Sequence, residues 1–156
     1  MFLTVHATLG ALIGQYSDNI GLAFAAGFFS HFVLDIIPHG DENLIAKEKS
    51  NLTRKDIVSI IKIASMDGLV MMILLAIIFW RHITPLTLPV LAGVIGSIAP
   101  DFINGFYVIT KFPWLKKYSD FHFSLHYLAK IQLSFAAGFI VQLVIITSLI
   151  IASIIF

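Results

Sequence analysis

The residues best suited to metal or acid–base chemistry are six histidines and seven aspartates; the chain has no cysteine. Any transition-metal centre must therefore use imidazole and carboxylate, donors that suit zinc, manganese, iron or nickel. His31-x-x-x-Asp35 and His122-x-x-x-His126 are both i,i+4 pairs. That spacing puts two donors on one helix face, as in helical zinc and di-iron sites. Asp101 follows Pro100, where a broken helix would aim a carboxylate into a cavity. Asp67 and Asp101 both lie in apolar stretches. An unpaired Asp in the middle of a membrane helix costs ~2.5–3.5 kcal/mol even on the lenient insertion scale, so each needs a partner. His6, His31, Asp35, Asp101, His122 and His126 are the expected metal ligands; Asp67, His39 and Asp41 are candidates for a general base or for supporting the ligands. A divalent cation held by them would acidify water toward a pKa of ~7 and polarise a substrate oxygen. Taken singly, each pair is more often a local hydrogen-bonded contact than a ligand set, and only convergence of the pairs would favour a metal.

Composition says where these residues must sit. The 156-residue chain is 58% hydrophobic and only 12% charged, with a mean hydropathy of +0.94. A soluble domain carries about 25% charged residues, so this chain reads as a single integral membrane domain, residues 1–156. Its net charge of +1 and lack of a basic stripe argue against nucleic acid as a partner. Membrane lipid is the expected partner.

A bilayer core of ~30 Å takes about 20 apolar helical residues to cross. Five helices are predicted, giving an all-α, polytopic membrane bundle. They cover residues 2–15 (short, hence tilted or shielded), 20–37 (stopped by Pro38), 57–80, 86–109 (kinked or broken at Pro100) and 121–156. Thr53 stands three residues before Asp56, a capping-box signature for the third helix. In the last segment Lys130 marks the boundary, leaving 131–156 to span. Gly10-x-x-x-Gly14 predicts close helix packing.

The connections 38–56 and 110–120 fall on the same side as the N-terminus. They hold Lys47, Lys49, Arg54, Lys55, Lys111, Lys116 and Lys117, against Arg81 alone on the other side. The positive-inside rule puts that side, with the N-terminus, in the cytoplasm and the C-terminus outside the inner membrane. His6, His31, Asp35, His39, Asp41, Asp67, Asp101, His122 and His126 all map to the same half, while His82 lies opposite.

The opening Thr4-Val5-His6 with Gly10, the stretch Gly27 to Asp41 (GFFSHFVLDIIPHGD) and the run Gly96 to Asp101 resemble the predicted inner-membrane-bound metal-dependent hydrolases. The middle stretch is the most specific, similar to a Ser-His-x-x-x-Asp-x-x-Pro-His-x-Asp pattern. Asn104 stands near where that family commonly has a second acidic residue. The resemblance implies a membrane-bound, metal-dependent hydrolase, and a likeness in chemistry to zinc-dependent phospholipase C. The expected reaction is cleavage of a phosphoester or other ester of a lipid-like substrate at the cytoplasmic face. Two readings of other classes stand beside it: a transporter of metal ions or protons, and a non-catalytic scaffold in which the polar cluster only holds helices together.

Overall fold

The computed structural model describes residues 1–40, 53–126 and 128–155. Among the described residues the chain is all-helical. It contains α1 (Leu3–Gln15), α2 (Ile20–Asp35), α3 (Arg54–Trp80), α4 (Leu88–Thr110), a short 3-10 turn (Pro113–Leu115), α5 (Lys116–His126) and α6 (Phe135–Ile155). Helices α3, α4 and α6 are each long and apolar enough to cross a membrane. Their outward faces carry residues such as Leu69, Met72, Ile95 and Ile140, each more than half exposed, as expected where the surrounding solvent is lipid.

Local sequence sets most of the helix starts. Asn19 caps α2 by accepting from the Leu22 N–H at 3.0 Å. Thr53 and Asp56 form the expected capping box on α3, which satisfies two otherwise unpaired N–H groups. Thr87 caps α4, and Lys111 closes it in a left-handed conformation, φ 55°.

Helix α1 has 13 residues, about 20 Å of rise, too short to cross the bilayer alone. It is shielded instead by its neighbours, and Val5, Ala7 and Ala11 are essentially buried. The centre of the bundle is α1 with α2 and α4; α3 and α6 flank α1, and α5 folds over the ends of α2 and α4. Glycines permit the close approach. A Cβ on Gly10 would strike the Gly93 carbonyl, one on Gly14 the Val90 backbone, and one on Gly96 the Phe24 carbonyl. The expected close packing at Gly10 and Gly14 is thus met by the α4 backbone, at Gly93 and at Val90.

Two elements differ in detail from the sequence expectation. Pro100 lies inside α4, which runs through it unbroken. Carbonyls on both sides of the missing N–H position take side-chain donors from other helices: Ser97 O lies 2.8 Å from His31 Nδ1, and Pro100 O accepts from Tyr118 Oη at 3.0 Å. The final segment is two helices, so six α-helices are seen among the described residues where five were expected. Lys130 adopts a left-handed backbone, φ 53°. Ser134 then restarts the chain, its Oγ accepting from the Ala137 N–H at 3.2 Å, and α6 follows from Phe135.

Candidate metal centre

The end of α2, the start of α1, the middle of α4 and the length of α5 meet at one level of the bundle. Asp35, in the last turn of α2, is the hub. Its Oδ2 lies 3.0 Å from His31 Nε2, 3.1 Å from His122 Nε2 and 3.4 Å from His126 Nε2. Its Oδ1 lies 3.2 Å from His6 Nε2 and accepts from the Met1 amine at 3.1 Å. The Asp35 side chain is wholly buried.

Two donor sets share this carboxylate. His31, Asp35, Asp101 and His122 each offer an atom within 4.8 Å of the others, and so do Asp35, His39 and His126. In the first set, His31 Nε2 and His122 Nε2 face each other at 3.0 Å, and Asp101 Oδ1 lies 3.7 and 3.6 Å from them. In the second, His126 Nδ1 lies 3.1 Å from His39 Nε2.

The outer nitrogens explain why the inner ones point as they do. His31 Nδ1–H donates to the Ser97 carbonyl, and His39 Nδ1–H donates to the Ile37 carbonyl at 2.6 Å. A neutral imidazole protonated at Nδ1 keeps its lone pair on Nε2, and a backbone carbonyl behind the ring is the usual support for a metal-binding histidine. His31 Nε2 therefore faces the acceptors of His122 and Asp35, whereas His39 Nε2 accepts from the Met1 amine at 2.8 Å. Such a cluster of facing acceptors is held together by a shared proton or by a cation. Two further features lie beside it. Neither ring nitrogen of His6 has a hydrogen-bond partner among the described residues, although Nε2 is close to Asp35, and His122 Nδ1 has none either. His6 is also completely buried, stacked on His31 with ring centroids 3.9 Å apart. Buried polar atoms normally find partners, so these nitrogens leave hydrogen-bonding capacity unused beside the cluster. On α5, burial pushes the His126 pKa down from 6.5 to about 3, keeping the ring in the neutral form that binds metals. Burial also raises Tyr118, which keeps the phenol protonated as a donor to Pro100 O.

The sequence candidates divide clearly. His31, Asp35, Asp101 and His122 fall in one donor set. His39 and His126 join Asp35 in the other. His6 belongs to neither set but abuts Asp35. Asp67 stands on α3, beside the beginning of α1: its Oδ2 accepts from Leu3 N–H at 2.5 Å and its Oδ1 from Thr4 Oγ1 at 2.6 Å. Asp41 lies outside the described residues. His82 is in the α3–α4 turn with a left-handed backbone, φ 54°.

Other residues hold the site without a signal of their own in the spacing. Gln142 of α6, 2% exposed, accepts from Phe2 N–H at 2.8 Å and donates to His39 O at 2.9 Å. It ties α6 to both the start of α1 and the ligand turn. Ser119 donates to Asn104 Oδ1 at 2.7 Å, fixing α5 on α4 one turn from His122. A lone Gln in the most apolar helix was the available clue to the first. The Ser119–Asn104 pair had none, because its partners are 15 residues apart on different helices.

Comparisons with protein-family models, with characterised proteins and with solved structures found no match for this chain.

Proposed function

We infer that this protein is a membrane-embedded, metal-dependent hydrolase that cleaves a phosphoester or other ester of an amphipathic substrate. The observation that carries the reading is the convergence on Asp35 of two His/Asp donor sets, buried and backed by carbonyls. One shared carboxylate between two donor sets suits a pair of cations, with His31, Asp101 and His122 on one and His39 and His126 on the other. Zinc is the first expectation for such donors, and manganese, iron and nickel accept the same set. A cation there supplies Lewis acidity, polarising the ester oxygen and acidifying water toward a pKa of ~7.

The chain's own residues supply the remainder. The Ser97 and Ile37 carbonyls hold the His31 and His39 rings with Nε2 turned inward. Asp101 is a quarter exposed, the most open member of its set, and it also lines the neighbouring cavity. Its Oδ1, which faces His31 and His122, would hold the cation, and its other oxygen would take a proton from the attacking water as the new bond to phosphorus or carbonyl carbon forms. The ester bond then breaks, and Asp101 returns the proton to the leaving alkoxide. Asp67, with both oxygens engaged by Leu3 and Thr4, serves to fix the start of α1 beside the cluster. The excess of basic residues in the connections on that side supports a cytoplasmic, inner-membrane face for the cluster and the N-terminus.

A transporter would need polar groups continuing beyond the cluster. Toward the far end Gln15 is paired with Thr84 Oγ1 and Ser153 O, which serves helix packing. The test is metal analysis and turnover of the purified full chain. Hydrolysis of lysophospholipid that is lost on chelation and restored by zinc supports the reading. Less than about one equivalent of metal, unchanged by Asp35→Ala, removes it. Ion flux in proteoliposomes without hydrolysis favours the transporter, and an unaltered phenotype in His31→Ala/Asp101→Ala favours the scaffold.

A further inference from the structure

The connection between α4 and α5 combines two residue types that seldom share a surface. Trp114, in the 3-10 turn, is 87% exposed, and Phe112 and Phe121 on either side are 48% and 51% exposed. Lys111, Lys116 and Lys117 stand among them and are exposed as well. Aromatic rings so open are poorly placed in bulk water, and ammonium groups are poorly placed among lipid tails. The layer that suits both is the headgroup region of a bilayer, where Trp and basic residues are the usual anchors. The position agrees, because the segment directly follows α4, a helix long and apolar enough to cross a membrane. The first turn of α3 adds Arg54 and Lys55 at the same end, since Ile57 and Ile109 line one cavity between α3 and α4.

The sign of the charge selects the lipid. In residues 53–56 and 111–120, Arg54, Lys55, Lys111, Lys116 and Lys117 meet only two acids, Asp56 and Asp120. Both acids are engaged locally: Asp120 pairs with Lys116 Nζ at 2.9 Å, and Asp56 closes the capping box of α3. A basic surface at headgroup level attracts anionic phospholipid, by about fivefold in affinity for each Lys or Arg. A free anion offers the exposed rings nothing to cover, whereas a lipid brings its glycerol and upper chains against them.

The other face of the same helix reaches the cluster. Along α5, Lys117, Phe121 and Ser124 are exposed, while Ser119, His122 and Phe123 are buried, the two-faced pattern of an amphipathic helix. Eleven residues make a marginal helix on their own. Tyr118 and Ser119 fasten its first turn to Pro100 O and Asn104 on α4. The donors His122 and His126 come later, on turns whose position depends also on what covers the outer face. We propose that the segment Lys111 to Lys117, with Arg54 and Lys55, binds the headgroups of anionic phospholipid, and that this lipid holds α5 and its histidines against the bundle. The lipid surface stands on its own; its effect on the donors rests on reading the cluster as a metal centre.

The test uses the full chain in nanodiscs, with Trp80→Phe leaving Trp114 as the single tryptophan. Brominated phosphatidylglycerol or brominated phosphatidylcholine is included at equal mole fraction, and quenching of Trp114 gives their relative affinity. Stronger quenching by phosphatidylglycerol is expected, weakened by about 1 M salt and untouched by inorganic phosphate. Lys117→Gln should lower the preference about fivefold. Zinc affinity, from chelator competition, should be higher in phosphatidylglycerol discs than in phosphatidylcholine discs, by a margin that Lys117→Gln reduces. Equal quenching by the two lipids overturns the proposal, as does loss of the preference to inorganic phosphate. A phosphatidylglycerol preference with equal zinc affinity in both discs overturns the link to the donors. Preference kept with no metal bound removes the hydrolase reading alone; metal bound with equal quenching removes this proposal alone.

Discussion

Asp35→Asn separates the metal reading from every purely structural one. The substitution keeps the shape of the side chain and removes one negative charge from a wholly buried position. All donor atoms of either set lie within 4.8 Å of one another, so a cation among them is within roughly 4 Å of the Asp35 carboxylate. At an effective dielectric of 20, two unit charges at 4 Å interact by about 4 kcal/mol. That corresponds to about a thousandfold in affinity for each cationic charge. Because Asp35 belongs to both sets, both should fail together. His122→Gln should weaken only the first set and His39→Gln only the second. The assay is metal content by elemental mass spectrometry, with affinity from chelator competition, on protein purified in detergent. Circular dichroism checks that the helices remain. Wild-type stoichiometry in Asp35→Asn, with affinity within about tenfold of wild type, would refute the reasoning, because no arrangement of the remaining imidazoles replaces that charge.

Other perturbations reach the supports of the site. Asp67→Asn weakens two hydrogen bonds to a charged acceptor, each worth about 1.5–3 kcal/mol. It should lower the thermal midpoint while leaving metal stoichiometry intact, readable by a melting curve beside metal analysis. Gln142→Leu strands the Phe2 N–H and the His39 carbonyl, at about 1–3 kcal/mol for each buried group. Faster amide exchange at residues 2–6 is the expected signature. Gly96→Ala drives a methyl into the Phe24 carbonyl and should part α2 from α4, loosening the His31–Ser97 contact and weakening metal binding. Unchanged affinity in that variant would show that the glycine seam does not position His31. Acidification should destabilise the metal-free protein. His126 is neutral when folded, with its pKa near 3, and takes up a proton near 6.5 when unfolded. Stability is therefore full above about pH 6.5 and declines toward pH 3, a slope that His126→Gln should reduce in urea titrations.

Much of the site was legible because an apolar chain has few places for polar residues. A His or Asp in a membrane helix is costly enough to require a partner, and helix periodicity alone places His31 beside Asp35 and His122 beside His126. Counting helices up and down the membrane then assigned them to one level, and the structure brings His6, His31, Asp35, Asp101, His122 and His126 there. The structure also gives His39 a place in a donor set, which its position just after Pro38 did not reveal. What sequence could not show was which contacts hold the ligands. The Ser97 carbonyl has no side-chain signature, and its role depends on the register between α2 and α4. The break before α6 was marked only by the charge of Lys130, which set off 131–156 as the spanning part, because residues 121–133 contain neither Gly nor Pro. Ser134, a helix-start residue before an apolar run, was the remaining clue to where α6 begins.

The glycines show why the remaining gap is physical rather than a matter of closer reading. Gly68 and Gly105 look in sequence like Gly10 and Gly93: each is a small residue in an apolar helix. Spacing cannot distinguish a glycine that lets two backbones touch from one that keeps them from filling a space. The difference lies in what the neighbouring helix presents, backbone carbonyl in one case and open cavity in the other. The two kinds should therefore respond oppositely to alanine. Gly93→Ala forces apart packed helices and should destabilise the bundle. Gly105→Ala meets no atom and removes a helix-interior glycine, so it should stabilise the chain by up to about 1 kcal/mol. Paired unfolding curves in mixed micelles test this directly. If Gly105→Ala proved as damaging as Gly93→Ala, the space between α3 and α4 would have to be filled by protein.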